Sequence, residues 1–394
     1  MKKSHLLLSF TLLFILCGCE MKQLAEQKPT GLSGEIVQEP EQVRPVTEPS
    51  SEVLEPDFIQ TILDEMTLEE KVGQLFLVRT PEEYSVEDIQ QYHLGGLVLF
   101  GEDTDGKTAN DLIQTIQSYQ DAADIPLIVA ADEEGGTVVR FSSNPKLCSQ
   151  RFPSAQELYA AGGMEAVCTG TREKDIFLRA MGVNVNLGPV ADVSTDSADY
   201  IYYRTLGQDA EATAKYITTV TRQMAQDGMG SVLKHFPGYG NNVDTHTGIS
   251  IDTRFMESFE RADFLPFRAG IEAGGSSTAV MVSHNIMTCV DDTLPASLSP
   301  AVHTLLRETL DFDGVIITDD LYMDAVAAYA EDGMSAVMAL QAGNDLVATT
   351  DYTIQIPAVI EAVRNGTLQE EQINMSCTRV LKWKQALGLL SEIE

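Results

Sequence analysis

From residue 57 onward, short apolar runs alternate with longer stretches in which apolar residues recur every three or four positions. The runs lie at 75–78, 96–100, 127–131, 183–187, 231–233, 279–282, 315–318 and 345–348. Each is too short for a helix and is bounded by polar or glycine residues, so each predicts a buried strand. Between them the spacing turns helical. Phe58, Ile59, Ile62, Leu63 and Met66 share a face, and Thr67 with Glu70 reads as a capping box for the next turn. At 210–226, Tyr216, Ile217, Val220 and Met224 make one face and Gly228 ends it. Segments 256–273, 300–310 and 324–342 repeat the pattern. Residues 353–388 read as closing helices and hold Trp383, the single tryptophan.

Eight runs alternating with helices predict an α/β fold with a parallel sheet, and eight suggests closure into a (β/α)8 TIM barrel. A doubly wound open sheet is the alternative. Polar residues gather at the C-terminal ends of many strands rather than at one switch point, which favours the barrel. No GxGxxG follows the first run, and no Walker A motif occurs. One catalytic domain over 56–394 accounts for the whole alternating region, with nothing left for a second globular domain.

The first 55 residues follow different rules. Lys2 and Lys3 precede an apolar run at 6–16, too short for a membrane span and suited to the core of a signal peptide. It closes on Leu16-Cys17-Gly18-Cys19, which resembles a bacterial lipobox. Residues 1–18 are therefore expected to be a lipoprotein signal peptide, with Cys19 the lipidated first residue of an exported protein. Cys17 is not the usual residue at its position. Residues 19–55 carry Pro29, Pro40, Pro45 and Pro49, many Glu and Gln and no aromatic, the composition of a disordered tether. Membrane contact is expected only through the anchor.

Charge narrows the partners. The 394 residues are 44% hydrophobic and carry a formal charge of −33, which argues against nucleic-acid or anionic-membrane binding through a basic face. Six cysteines are too sparse for a disulfide-built fold; an exported location permits a bond between Cys148 and Cys168 without placing one.

Barrel enzymes project their working groups from strand C-termini. The third run ends in Asp132-Glu133-Glu134-Gly135-Gly136, with Arg140 beyond. The fourth leads to Asp192, and Arg204 follows in its loop. The fifth runs into Lys234 and His235, then breaks at Pro237, Gly238 and Gly240 into a loop carrying Asp244 and His246. The sixth ends in Ser283-His284-Asn285 and the seventh in Thr318-Asp319-Asp320. Taken singly, a strand-end Asp is more often a cap and a lone His more often structural; their convergence on one face points to chemistry.

Four segments together resemble glycoside hydrolase family 3, in its single-domain bacterial β-N-acetylglucosaminidase (β-hexosaminidase) branch. They are 132–140, Lys234-His235-Phe236-Pro237-Gly238, Asp244-Thr245-His246 and Thr318-Asp319-Asp320-Leu321-Tyr322-Met323. The resemblance spans about 57–388 and implies roles residue by residue. Asp319 matches the catalytic nucleophile, His246 the general acid/base, and Asp244 the carboxylate that orients it. Asp132, Arg140, Arg204, Lys234 and His235 match residues that grip the terminal sugar. Tyr239 stands where many relatives carry His, and the Leu-Pro often found after the acid/base is absent.

The implied chemistry is coherent. Cleavage with retention needs a carboxylate to attack the anomeric carbon and a proton donor for the departing oxygen. An imidazole with an ordinary pKa near 6.5 can give and retake a proton near neutrality, and a carboxylate on one ring nitrogen aims the other. The expected function is an exo-acting retaining β-N-acetylhexosaminidase that removes terminal N-acetylglucosamine from cell-wall fragments or other glycans, with no metal or cofactor. Asp320 competes for the nucleophile's place but reads better as a cap. Three rivals stay open: a phosphorylase on the same scaffold, a metal hydrolase using His235, His246 and His284, and a lipid-anchored sugar-binding protein.

Overall fold

In the computed structural model, residues 57–79, 81–243, 248–327, 329–330 and 333–391 are described. The expected signal peptide, Cys19 and the expected tether lie outside them, as do Asp244 and His246. Ten strands occur among the described residues: β1 (Phe76–Val78), β2 (Gly96–Leu99), β3 (Ile128–Ala131), β4 (Val185–Asn186), β5 (Gly230–Phe236), β6 (Ile251–Asp252), β7 (Thr278–Val282), β8 (Ile286–Met287), β9 (Ile316–Thr318) and β10 (Val347–Thr349). Eight of them form one all-parallel sheet in the order β10-β1-β2-β3-β4-β5-β7-β9. The outer two meet as well, because Leu346 N donates to Ile316 O (3.1 Å) and Thr318 N donates to Leu346 O (3.1 Å). The eight apolar runs thus make a (β/α)8 barrel rather than an open sheet.

Helices cover the outside, and their ends follow local rules. Thr67 and Glu70 form the expected capping box on Leu68–Gln74. Asp209 caps Ala210–Asp227, which Gly228 ends in a left-handed conformation. Helix Ala155–Ala180 begins at a Ser154–Glu157 capping box and kinks at Gly162 and Gly163. The barrel and its helices share one core that runs from Ile59 to Leu387. Among the described residues no helix is long and apolar enough to cross a membrane.

Four expectations need adjusting, the first being the helix expected over 324–342, which is Asp324–Ala327 and then Met334–Ala342 behind a left-handed Gly333. The fifth run extends through Lys234, His235 and Phe236, all buried in β5, because carboxylates in the segments after β3 and β4 receive the two polar side chains. The helix expected over 256–273 is Met256–Ser258, a π-helical turn at Phe259–Asp263, then Phe264–Gly274. The one expected over 300–310 likewise passes from Pro300–Thr304 into a π-helical turn at Leu305–Thr309. The two-residue strands β6 and β8, which pair in parallel beside the barrel, escaped the periodicity because two residues carry no period.

Candidate active site

Strand C-termini converge on a cleft of about 590 Å³. Leu77, Val98, Leu187, Met281 and Ala348 form its apolar floor, while Asp132, Arg140, Arg204, Lys234, His235, Asp319 and Asp320 supply polar groups. Every expected site residue among those described therefore faces one space.

The inner end is organised by Lys234. Its ammonium lies 2.6 Å from Asp132 Oδ1 and 2.7 Å from Glu134 Oε1. Glu134 also takes two bonds from Arg204, Nε at 3.0 Å and Nη2 at 2.7 Å. Burial would raise the Glu134 carboxyl, but Arg204 and Lys234 outweigh it and hold it well below the usual carboxylate range. Burial likewise opposes charge on Lys234, and Asp132 with Glu134 reverses the sign, so its pKa is raised. Both cations are thus fixed as cations. Arg140 reaches Asp132 only at 3.5 Å.

Glu133, between these acids, does something else. It is fully buried, and its carboxylate accepts from the backbone N–H of Arg140 and Phe141 (both 2.8 Å) and from Ser142. It folds the following loop back so that Arg140 enters the cleft.

His235 is aimed by Asp192, a buried acid beyond β4. Asp192 Oδ2 lies 2.7 Å from His235 Nδ1, and its Oδ1 accepts from Tyr239 N at 2.7 Å. Arg204 Nη2 stands 3.1 Å from His235 Nε2. A guanidinium only donates, so Nε2 accepts and Nδ1 carries the proton to Asp192. Tyr239 packs edge-on to His235 at 5.3 Å.

Asp319 follows β9, and its N–H continues the sheet by donating to Val282 O (3.0 Å). Its Oδ1 accepts from Asp320 N (2.9 Å). Asp320 Oδ1 accepts from Tyr322 N (3.0 Å), the local turn expected of a capping carboxylate. His284 braces the same turn from below. It is buried, with Nε2 donating to Asp320 O at 3.0 Å and Nδ1 2.7 Å from Ser297 Oγ.

The stem of the loop that carries Asp244 and His246 is a clamp around Arg254. Its guanidinium binds Asp252, reaches Asp263 Oδ2 at 2.9 Å and Gly238 O at 3.0 Å, and lies 4.3 Å over Phe259. Asn242 ties the near side of the loop to Asp252 at 2.6 Å. Gly238 has φ +123°, and a Cβ there would stand 2.1 Å from Asp263 Oδ1, so both conformation and space demand glycine. The π-helical turn at Phe259–Asp263 carries both Asp263 and the ring into this clamp.

Glu134 and Asp192 were named at strand ends without a role, and Arg79 was not among the candidates. The strand-end signal gave the two acids no partner. Arg79 follows β1, lines the cleft, and packs its guanidinium 4.5 Å over Phe100, with Arg140 on the same ring at 5.3 Å. Among the described residues no group of three or more His, Cys, Asp or Glu could hold a metal ion. Lys234 occupies the gap between Asp132 and Glu134 where a cation would sit. Cys148 and Cys168 are free thiols with different partners, Gln150 O and Gln223 Oε1.

Comparison with known proteins agrees with this geometry. The chain is 31% identical over 329 residues to the β-hexosaminidase LpqI of Mycobacterium tuberculosis, covering 80% of this chain and 82% of that protein. It superposes with a TM-score of 0.77 and 30% identity on a glycoside hydrolase family 3 β-N-acetylglucosaminidase from Paenibacillus sp., covering 84% of this chain and 64% of that one. A β-N-acetylhexosaminidase from Beutenbergia cavernae gives a TM-score of 0.73 at 28% identity, covering 82% and 99%. The glycosyl hydrolase family 3 N terminal domain matches residues 67–383. With its barrel, its strand-tip acids and that match, the chain belongs to glycosyl hydrolase family 3.

Proposed function

We propose that this protein is an exo-acting, retaining β-N-acetylhexosaminidase that releases terminal N-acetylglucosamine. The observation that carries the reading is the opening of Asp319, at the tip of β9, into the same cleft as the Asp132–Lys234–Glu134–Arg204 cluster. Relatives named β-hexosaminidase and β-N-acetylglucosaminidase support the choice of sugar.

In this reading the paired charges grip the sugar. Asp132 accepts from ring hydroxyls, while Lys234, Arg204 and Arg140 donate to oxygens, and His235 is held by Asp192 in one orientation. The apolar floor takes the ring's C–H face. Asp319 attacks the anomeric carbon and forms the glycosyl-enzyme as the bond to the leaving oxygen breaks. His246 gives that oxygen a proton and then takes one from the incoming water, with Asp244 holding the other ring nitrogen. General acid–base help of this kind contributes roughly 10²–10⁴ in rate. Acylation of Cys19 would place the enzyme on the outer face of the cell membrane, working on cell-wall fragments.

The test is turnover of an aryl β-N-acetylglucosaminide, followed by trapping with a 2-fluoro sugar and mapping the adduct by mass spectrometry. The label is expected on Asp319. A label on Asp320, or turnover that depends on added phosphate rather than water, would replace this mechanism.

A further inference from the structure

The cleft has a charged inner end and an aromatic rim, and the rim plays no part in the chemistry above. Tyr203 and Tyr200 both line the cleft, with 60% and 41% of their surface exposed. Tyr203 directly precedes Arg204 in the 3-10 turn Tyr202–Arg204. That turn sends the Arg204 guanidinium inward to Glu134 and leaves the neighbouring phenol ring in solvent.

The turn is stiff. Tyr202 O accepts from Gln156 Nε2 (2.7 Å), from Thr205 N (3.1 Å) and from Thr205 Oγ1 (2.8 Å). The Tyr202 ring meets Tyr203 edge-on at 5.2 Å and 85°, which limits where the exposed ring can turn. A second series of rings leads the same way: His235 to Tyr239 at 5.3 Å, then Tyr239 to Tyr200 at 5.7 Å. Tyr239 is buried, so this series braces Tyr200 from behind, and the aromatic surface open at the mouth of the cleft is that of Tyr200 and Tyr203.

A large ring held out at the mouth of a cleft is a contact surface, amphipathic and low in conformational freedom. A pyranose is its complement, with C–H groups on its face and hydroxyls around its edge. The ring whose hydroxyls are gripped belongs at the inner end, where the charges are. The next ring of the chain must then lie outward, where Tyr203 is.

We infer that Tyr203, with Tyr200 beside it, is a stacking platform for the sugar on the leaving-group side of the scissile bond, and so sets a preference for oligosaccharides over glycosides with small leaving groups. The inference rests on the glycosidase reading above. It makes Tyr203 a specificity residue that touches the departing sugar and takes no part in proton or glycosyl transfer.

The test compares N,N′-diacetylchitobiose, whose leaving group is a sugar, with β-N-acetylglucosaminyl azide, whose leaving group has no ring. In Tyr203→Ala the ratio of kcat/KM for chitobiose over azide is expected to fall about tenfold, through KM for the disaccharide. Tyr203→Phe and Tyr203→Trp should restore the ratio, since stacking needs the ring and not the hydroxyl. Equal losses on both substrates would overturn the inference by placing Tyr203 in the inner grip, and an unchanged ratio would overturn it by removing the contact. Wild-type protein that turns over neither substrate would sink the glycosidase reading itself, and the platform with it.

Discussion

Two buried clusters in this barrel are built from the same parts and do different work. At the strand C-termini, Glu134 lies between Lys234 and Arg204. At the opposite end, before β10, Asp345 lies between Arg307 (2.5 Å) and Arg379 (3.2 Å). Asp345 has a full set of donors: Arg307 and Ile316 N on Oδ2, Arg379 and Ser376 on Oδ1. A carboxylate with four donors has nothing left to offer. The upper cluster is not closed in that way. Lys234 is shared with Asp132, and Asp132 is half-buried, with a 2.6 Å contact to Lys234 and a long one to Arg140. Its remaining lone pairs face the cleft. The same ion-pair physics is structural where the partners saturate one another and functional where one edge is left for a ligand.

The largest effect expected from breaking this comparison is on the lower cluster. Asp345→Ala takes the carboxylate from Arg307, while Arg379 keeps Asp313 at 2.9 Å, and removing one partner of a buried ion pair costs about 3–5 kcal/mol. Denaturant midpoints should fall accordingly, while KM of the folded fraction stays at the wild-type value. A changed KM with unchanged stability would reverse the roles assigned to the two ends.

A lone cation at the lower end sharpens the point. Lys384 is fully buried with only a neutral partner among the described residues, Gln74 Oε1 at 2.6 Å, and burial pushes its pKa down to about 7. The unfolded chain keeps that proton to about pH 10.4. Between pH 7 and 10 the unfolded state therefore binds more protons, and stability rises with pH across that window. Below pH 7 both states hold the proton and the whole cost of burial is present. The stability difference between Lys384→Met and wild type should change by roughly 3–5 kcal/mol from pH 7 to pH 10.5. A difference independent of pH would mean that Lys384 is paired after all.

The smallest of the three concerns the upper cluster. Glu134→Gln keeps the shape and removes the charge that holds Lys234 and Arg204, so kcat/KM should fall about 10- to 100-fold, the scale of a charge-assisted hydrogen bond. The pH dependence adds a check. Because the folded pKa of Glu134 is depressed, its contribution is complete above the unfolded value near 4.3 and is lost only in acid. The acid limb of the neutral-pH activity profile should consequently be the same in wild type and Glu134→Gln; a shift of that limb would show that Glu134 itself titrates in the working range.

How much of this was legible in advance depends on distance along the chain. Strand positions were readable because a short apolar run bounded by polar or glycine residues carries its own signal, and the strand tips were readable because Lys234, Asp319 and Asp132 interrupt apolar runs. Partnerships were not. Lys234 and Asp132 are 102 positions apart, and Arg204 and Glu134 are 70 apart. Nothing local distinguishes Glu134, which grips the cations, from Glu133, which folds a loop, since the two are adjacent and chemically identical.

The order of strands, the positions of most helices and the candidate acids were determined by the sequence itself, since periodicity and capping act over a few residues. Tertiary structure alone decided that β5 runs on through Lys234 and His235, that Asp192 aims the imidazole, and that His284 braces a turn instead of meeting a ligand. Closing the barrel brings eight strand ends within reach of one another, and burial then forces each charge to take the partner that is there.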